Sequence, residues 1–383
     1  MVSLETTLAG IPLKTCVYNA SGPRSGNSSA LAKVAGSRAG AILAKSATVA
    51  SQNGNPQPRT WHSPDDKASM NSEGLPNSGI DYYIDSPTIE ETLAGCEAGS
   101  TKPYMVSISG KTLDDNLAML DKINKSSANI ALVELNLACP NVIGKPIIAY
   151  DFDQLKMILK TIQSKKYKVK LGLKLPPYLD SKHLAIAASI INQYSSMVTY
   201  VASINTIGNA LSVDPVSEAP FISSNKGLAG LSGPAVKYTA LANVRQMREQ
   251  LDKSIDVVGV GGIESGTDAF LFLLCGATAV QVGTCHWKEG AQCFDRICNE
   301  LETVLQEKGY SSVQDVIGQL KPWSKEGAAK SRAAKKLLDE TGGSGDTKIA
   351  NGGDFAKMLN NILLVVIAIL LADKFGVLQS PTE

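Results

Sequence analysis

The stretch DVVGVGGIESGTDAFLFLLCGATAVQVGT, residues 256–284, holds two short apolar runs, Asp256–Val260 and Ala279–Gly283, each running into glycine. Neither alternates apolar with polar residues, which is the pattern of strands buried on both faces of a parallel sheet. The first run leads into Gly261-Gly262 and the second ends in Gly283-Thr284. In an eight-stranded α/β barrel these are the loops after strands seven and eight, where glycine lets backbone N–H groups approach a phosphate. Each dipeptide alone is equally an ordinary turn; the pair, in the right two loops, favours an anion site. A dinucleotide-binding reading of Gly259-Val260-Gly261-Gly262 fails because position 264 is Glu rather than Gly.

Working outward, six further runs of this kind precede the pair: Cys16–Ala20, Gly40–Lys45, Tyr104–Ser109, Ile130–Asn136, Val169–Lys174 and Tyr200–Asn205. Helical periodicity separates several of them, as in Asp114–Asn124, Phe152–Ser164, Ser181–Tyr194 and Ala235–Gln250. Eight such units predict an α/β fold of the (β/α)8 TIM-barrel type, a single catalytic domain over residues 1–324. The alternative is a doubly wound open sheet. That fold normally wants a glycine-rich turn after the first strand, and none is present.

The chain of 383 residues carries 37 Lys+Arg against 36 Asp+Glu, a formal charge of +1, which argues against a nucleic-acid binder. With 44% apolar and 19% charged residues it has the balance of a globular protein. Its seven cysteines (16, 96, 139, 275, 285, 293, 298) are odd in number and never spaced C-x-x-C. Its three histidines (62, 183, 286) are isolated, so no metal or iron–sulfur site is expected. The N-terminus lacks a basic and long apolar leader, and the expected compartment is the cytoplasm.

Composition changes beyond residue 325. Lys325–Lys336 is basic and Ala-rich and reads as a helix; Gly-rich segments at 341–345 and 351–353 read as linker, giving 325–353 as a connecting region. The remaining 354–383 contains Ile362–Ala372, eleven residues without a charge. At 1.5 Å per residue this spans roughly 16 Å, about half a bilayer core. A packed or partner-binding helix and a membrane contact through residues 355–378 both remain open.

Unusual residues collect at the strand ends, where a barrel places its chemistry. They are Asn19-Ala20-Ser21-Gly22, Lys45-Ser46, Asn136 through Asn141, Lys174-Leu175-Pro176-Pro177 and Asn205-Thr206. Lys45 and Lys174 end apolar strands, where a lysine either snorkels out or meets an anion. Two of them opposite a phosphate site suit a reduced flavin, whose negative charge near N1 a cation stabilises. Asn71, Asn136, Asn141 and Asn205 offer amides suited to the edge of a flat heterocycle, though each alone is also a common turn residue. Cys139, in a polar loop after a buried strand, is the candidate base; the other six cysteines read as buried and inert.

These residues fall in NASG (19–22), AKSAT (44–48), GNPQPR (54–59), NSEGLPNSGIDYY (71–83), ELNLACPNVIGKP (134–146), KLPPY (174–178) and SINTIGNAL (203–211). GVGGIESGTDAF (259–270), LLCGATAVQVGT (273–284) and KEG (288–290) continue the series. Together, over roughly residues 1–320, they resemble the dihydroorotate dehydrogenases, and the cysteine base and GNPxPR segment look most like the fumarate-linked class 1A. The resemblance implies FMN as cofactor, dihydroorotate and fumarate as substrates with orotate and succinate as products, and a cytosolic homodimer. It implies Cys139 as the base that removes the C5 proton while hydride leaves C6. Lys45, Asn71, Gly74, Leu75, Asn136, Asn141, Asn205 and Thr206 would hold the pyrimidine and its carboxylate. Ala20, Ser21, Lys45, Ser46, Asn136, Lys174, Ile204, Gly233, Gly261, Gly262, Gly283 and Thr284 would surround FMN.

Two positions and one four-residue segment depart from that pattern. Glu73 stands where the loop usually reads N-S-M-G-L-P-N, Thr206 where class 1A usually has Ser, and Leu231-Ser232-Gly233-Pro234 reads like the other classes. A carboxylate at 73 would repel an anionic substrate unless it turned away or met a cation. The alternatives are a relative acting on another pyrimidine or passing electrons to a quinone or NAD-linked acceptor, and a non-catalytic flavoprotein tethered by its tail.

Overall fold

The structure, a computed structural model, describes residues 2–138 and 147–340. The expected base Cys139, the expected ligand Asn141 and the hydrophobic tail 354–383 lie outside the described residues. The chain divides into two compact units after Leu320.

Each of the eight expected runs forms a strand of one parallel sheet. They are β1 (Val17–Asn19), β2 (Ile42–Leu43), β3 (Tyr104–Ile108), β4 (Leu132–Asn136), β5 (Leu171–Leu175), β6 (Val198–Ser203), β7 (Asp256–Val260) and β8 (Ala279–Val282). Their order is β1-β8-β7-β6-β5-β4-β3-β2, with β2 and β1 returning to each other at the ends. Side chains close that last seam. The buried Asn19 amide accepts from Leu43 N–H at 2.9 Å and donates to Leu43 carbonyl at 2.6 Å, standing in for a ladder pair. The backbone also approaches closely at Gly40, whose N–H donates to Val17 carbonyl at 2.8 Å; a Cβ there would lie 1.9 Å from Thr15 O. This is a (β/α)8 barrel, as expected; the open doubly wound sheet is not what forms.

Eight helices cover the strands: α1 (Ser28–Ala35), α2 (Ser86–Leu93), α3 (Leu113–Lys125), α4 (Phe152–Lys165), α5 (Ser181–Asn192), α6 (Lys237–Gln250), α7 (Gly266–Leu274) and α8 (Gln292–Glu307). Their origin is local and amphipathic. Thr112 and Asp115 form a capping box on α3, which buries Asn116, Met119, Leu120 and Ile123 at helical spacing. Asp151 caps α4, which buries Leu155, Ile158, Leu159 and Ile162. Asp180 and Ser265 cap α5 and α7 in the same way.

Two features were not expected. An N-terminal hairpin, Thr6–Leu8 with Ile11–Leu13, binds the strand starts at the barrel bottom. Ala9 N–H donates to Asp256 Oδ2 at 2.6 Å, Lys170 Nζ donates to Ala9 carbonyl at 2.8 Å, and Thr6 Oγ1 donates to Thr278 carbonyl at 3.0 Å. The long connections after β2 and β6 also meet in a four-stranded antiparallel sheet, ordered Ile207–Ala210, Ala229–Ser232, Ser69–Asn71, Thr60–His62. It brings Asn71 and Ser232 to the C-terminal end of the barrel.

In the second unit the basic segment is helical over Lys325–Glu340, somewhat longer than expected. Among the described residues no helix is long and apolar enough to cross a membrane.

Candidate active site

The floor of the site is a polar layer inside the barrel. Side chains from five strands meet there: Tyr18 on β1, Glu134 on β4, Lys174 on β5, Tyr200 on β6 and Gln281 on β8, all buried. Gln281 is the hub. Its Oε1 accepts from Lys174 Nζ at 2.9 Å, and its Nε2 donates to Glu134 Oε2 at 2.7 Å and to Tyr18 Oη at 3.1 Å. Tyr200 Oη adds a 3.3 Å bond to the same carboxylate oxygen. Gly172 makes room for this layer, since a Cβ there would lie 2.0 Å from the Tyr200 ring.

Burial pulls the Lys174 ammonium below its ordinary pKa, and the Glu134 charge beneath it opposes that shift. Burial, reinforced by the same carboxylate, drives the Tyr18 and Tyr200 phenols well above theirs, so both remain neutral donors or acceptors.

Above the floor a second hydrogen-bonded chain crosses the strand ends. Ser21 Oγ meets Ser46 Oγ at 3.1 Å, and Ser46 Oγ meets Ser107 Oγ at 2.8 Å. Asn136 Nδ2 donates to Ser46 Oγ at 3.4 Å, and Asn205 Nδ2 donates to Asn136 Oδ1 at 3.2 Å. Asn205 Oδ1 then accepts from Thr206 N–H at 2.9 Å. The ends of five strands are thus fixed to one another before any ligand arrives, which is the preorganisation a binding site needs.

One cleft of about 1150 Å3 of empty space, its open mouth included, lies over these groups. Ala20, Ser21, Lys45, Ser46, Asn71, Leu75, Asn136, Lys174, Ile204, Asn205 and Thr206 line it. Gly233, Gly261, Gly262, Gly283 and Thr284 line its other side. Gly74 is not among the lining residues; its carbonyl accepts from Gln52 Nε2 at 3.1 Å. Leu75, which does line the cleft, is held at φ 58° by Gln52 and Asn77 side chains donating to its carbonyl. A leucine there costs of order 1–3 kcal/mol, the kind of local strain that collects at binding loops.

The glycine side of the cleft is shaped for close approach of a ligand. Gly261 and Gly262 have φ of 128° and 70°, and a Cβ on Gly262 would lie 2.8 Å from Lys237 Cβ and 2.9 Å from Gly233 O. Gly283-Thr284 opens the turn after β8. Thr206 lines this cleft, and its Oγ1 is buried with no hydrogen-bond partner among the described residues.

Sequence reasoning left several lining residues unassigned. Gly22, Ser232, Val236, Val260, Ile263, Glu264, Gln281 and Trp287 complete the wall. Gln281 and Glu134 were visible as lone polar residues inside the apolar strands AVQV and LVELN. Trp287 carried no such signal. Glu73 does line the cleft, and the cation it needed is Arg59: Arg59 Nε lies 2.9 Å from Glu73 Oε2. Glu264 is likewise matched, by Lys288 at 3.1 Å. Both cleft carboxylates thus face a cation, and the buried Lys45 and Lys174 also line the cleft.

The remaining cysteines behave as expected with one exception. Cys16, Cys275, Cys285, Cys293 and Cys298 are buried, and burial pushes the Cys298 thiol up to about 12; Cys96 is only half-buried. No cluster of potential metal ligands occurs among the described residues.

A parallel eight-stranded barrel whose cleft opens at the C-terminal ends of its strands, with glycine loops after β7 and β8 and a buried lysine at each of β2 and β5, has the architecture of an α/β-barrel enzyme. Comparison with known proteins narrows the class. The family model for dihydroorotate dehydrogenase matches residues 3–305, and the chain belongs to that family, whose members are flavin-dependent oxidoreductases. It is similar to the dihydroorotate dehydrogenase A (fumarate) of Lactococcus lactis subsp. cremoris, 44% identical over 318 residues, covering 83% of this chain and 99% of the relative. The dihydroorotate dehydrogenase (fumarate) of Lachancea kluyveri is 44% identical over 303 residues, covering 79% of this chain and 93% of that one. Among solved structures, the DHODH of Eimeria tenella in complex with ferulenol shares the fold, with a TM-score of 0.67 at 22% identity over 82% of this chain and 88% of that chain.

Proposed function

We propose that the protein oxidises dihydroorotate to orotate with FMN as its flavin and returns the electrons to fumarate, the donor and acceptor for which its relatives are named. The observation that carries this reading is the convergence of the motif residues. Apart from Gly74 and the undescribed Asn141, those assigned to cofactor and to pyrimidine come from the ends of β4 and β5 and the loops after β1, β2, β6, β7 and β8, and line one cleft.

FMN fits what is present. Gly261, Gly262, Gly283 and Thr284 would hold its phosphate, the positive-φ glycines admitting close backbone approach. Ala20, Ser21, Ser46, Ile204 and Gly233 would flank it, and Lys174 would supply a cation that stabilises the reduced ring. When bound, FMN supplies the two-electron acceptor that the chain's own side chains lack. The Asn136–Asn205 pair, with Asn71 and Lys45, would orient the substrate amides and carboxylate, and Asn141 would join them from outside the described residues. Cys139, assigned by its motif, takes the C5 proton as thiolate, which requires a thiol pKa near or below the working pH. We infer a cytoplasmic homodimer by the same resemblance.

Cys139→Ala tests the assignment. The variant is expected to bind FMN and accept electrons from dithionite as the wild type does, while dihydroorotate reduces its flavin at least a hundredfold more slowly, about the contribution of a general base. Wild-type rates in that variant would refute the base.

A further inference from the structure

Glu73 lines the cleft, and Arg59, on an adjoining loop and not itself in the lining, lies against it. Their 2.9 Å contact pairs side chains that are 12% and 18% exposed, respectively. The Arg59 Nε–H is not aligned on the oxygen as a hydrogen bond, so the contact acts through charge. Among the described residues Glu73 is the one carboxylate paired with Arg59.

The loops do not need that carboxylate for their shape. Asn55 N–H donates to Glu73 carbonyl at 2.9 Å, Ser72 N–H donates to Arg59 carbonyl at 2.8 Å, and Asn55 Nδ2 donates to Ser72 carbonyl at 2.8 Å. The guanidinium is separately anchored, its Nη1 donating to the carbonyls of Asn53 at 2.8 Å and Asn55 at 3.2 Å. Without the Glu73 carboxylate, Arg59 would stay in place with its charge unbalanced. The rim of an anion site would then gain one unit of positive charge.

We propose that Glu73, by neutralising Arg59, sets how strongly the site distinguishes dianionic from monoanionic carboxylates. This rests on the assignment above of dihydroorotate and orotate, monoanions at the carboxylate, and of fumarate and succinate, dianions, to the same cleft. A fixed added charge changes the logarithm of affinity in proportion to ligand charge. A variant that tightens orotate about threefold should therefore tighten a dianion by about ninefold, the square. Glu73 thereby holds down affinity for the dicarboxylate acceptor more than for the pyrimidine donor.

The test uses the full-length, FMN-loaded protein as wild type, E73Q, E73M and R59Q. Orotate Kd is read from the flavin absorbance change, succinate Kd from competition against orotate, and KM for fumarate and dihydroorotate from turnover. E73Q and E73M should tighten orotate and succinate with the squared relation, lower the fumarate KM accordingly, and lose the difference at high salt. R59Q should reverse both signs, since it leaves the carboxylate unbalanced. Equal factors for the two anions, or weakening of both in E73Q, would overturn the proposal. If E73M does not fold, E73Q and R59Q carry the same test. If dihydroorotate fails to bleach the wild-type flavin, the functional assignment falls, and the orotate and succinate affinities still decide the role of Glu73.

Discussion

Gln281→Met removes the hub of the barrel floor while nearly conserving side-chain volume. Three hydrogen bonds go: one neutral, to Tyr18 at 3.1 Å, and two charge-assisted, from Lys174 at 2.9 Å and to Glu134 at 2.7 Å. A neutral bond contributes about 1 kcal/mol and each charged one about 1.5–3 kcal/mol. Sparing the desolvation of a buried amide returns about 1–3 kcal/mol, so the net loss is about 1–6 kcal/mol, centred near 3.5. Lys174 and Glu134 would remain buried without their shared bridge, the arrangement that makes half-removed charge networks expensive. For a unit of this size each kcal/mol moves the melting midpoint by about 2 °C, giving a fall of about 2–12 °C, centred near 7 °C. Urea unfolding and calorimetry of the flavin-free protein measure it directly. Loaded with FMN, the variant should also show a more negative flavin potential, because the cation that stabilises the reduced ring is less firmly held. A stability change below about 1 kcal/mol would refute the view that Gln281 ties the floor together.

Two further expectations concern other parts of the barrel. Burial, with Arg24 adding to it, pushes the His286 imidazole down to about 4 from its ordinary 6.5. Between those values the unfolded chain binds a proton that the folded chain refuses, so stability is intact above 6.5 and declines by about 3 kcal/mol as pH falls to 4. Urea midpoints of wild type and His286→Phe measured from pH 7 to 4 should diverge by that amount, and parallel curves would contradict it. Gly262→Ala places a Cβ 2.8 Å from Lys237 Cβ at a φ of 70°. It should weaken FMN by at least about tenfold in fluorescence titration, with a stability cost of about 1–3 kcal/mol; unchanged affinity would remove Gly262 from the phosphate cradle.

The barrel was legible in the sequence because its strands are buried on both faces and so read as short apolar runs, all eight of which fold as strands. Strand limits were less legible. The run placed at Tyr200–Asn205 forms Val198–Ser203, since pairing with β5 and β7 rather than composition sets where a strand starts. The hairpin and the antiparallel sheet over the cleft escaped notice for a related reason. Their strands are three or four residues long, too short for a pattern to show, and the central pairing of the sheet, as of Gly230 with Asn71, joins residues far apart in the chain.

At the site, residues at strand ends were found because the fold reading said where to look. Glu134 and Gln281 lie deeper, within the strands, where an apolar run was read as uniform core. For Glu73 the electrostatic requirement of a cation was plain, but Arg59 lies on a different loop and only the folded backbone brings the two together. The carboxylate that marks a departure from the family pattern is thereby made compatible with an anionic substrate.

The central claim is that this cleft oxidises dihydroorotate and passes the electrons to fumarate. Mixing dihydroorotate anaerobically with the FMN-loaded protein in a stopped-flow spectrometer, followed by fumarate, tests it most directly. The account predicts rapid loss of the yellow flavin absorbance and its full return on adding fumarate. Flavin that stays yellow with dihydroorotate, or stays bleached with fumarate, would contradict it.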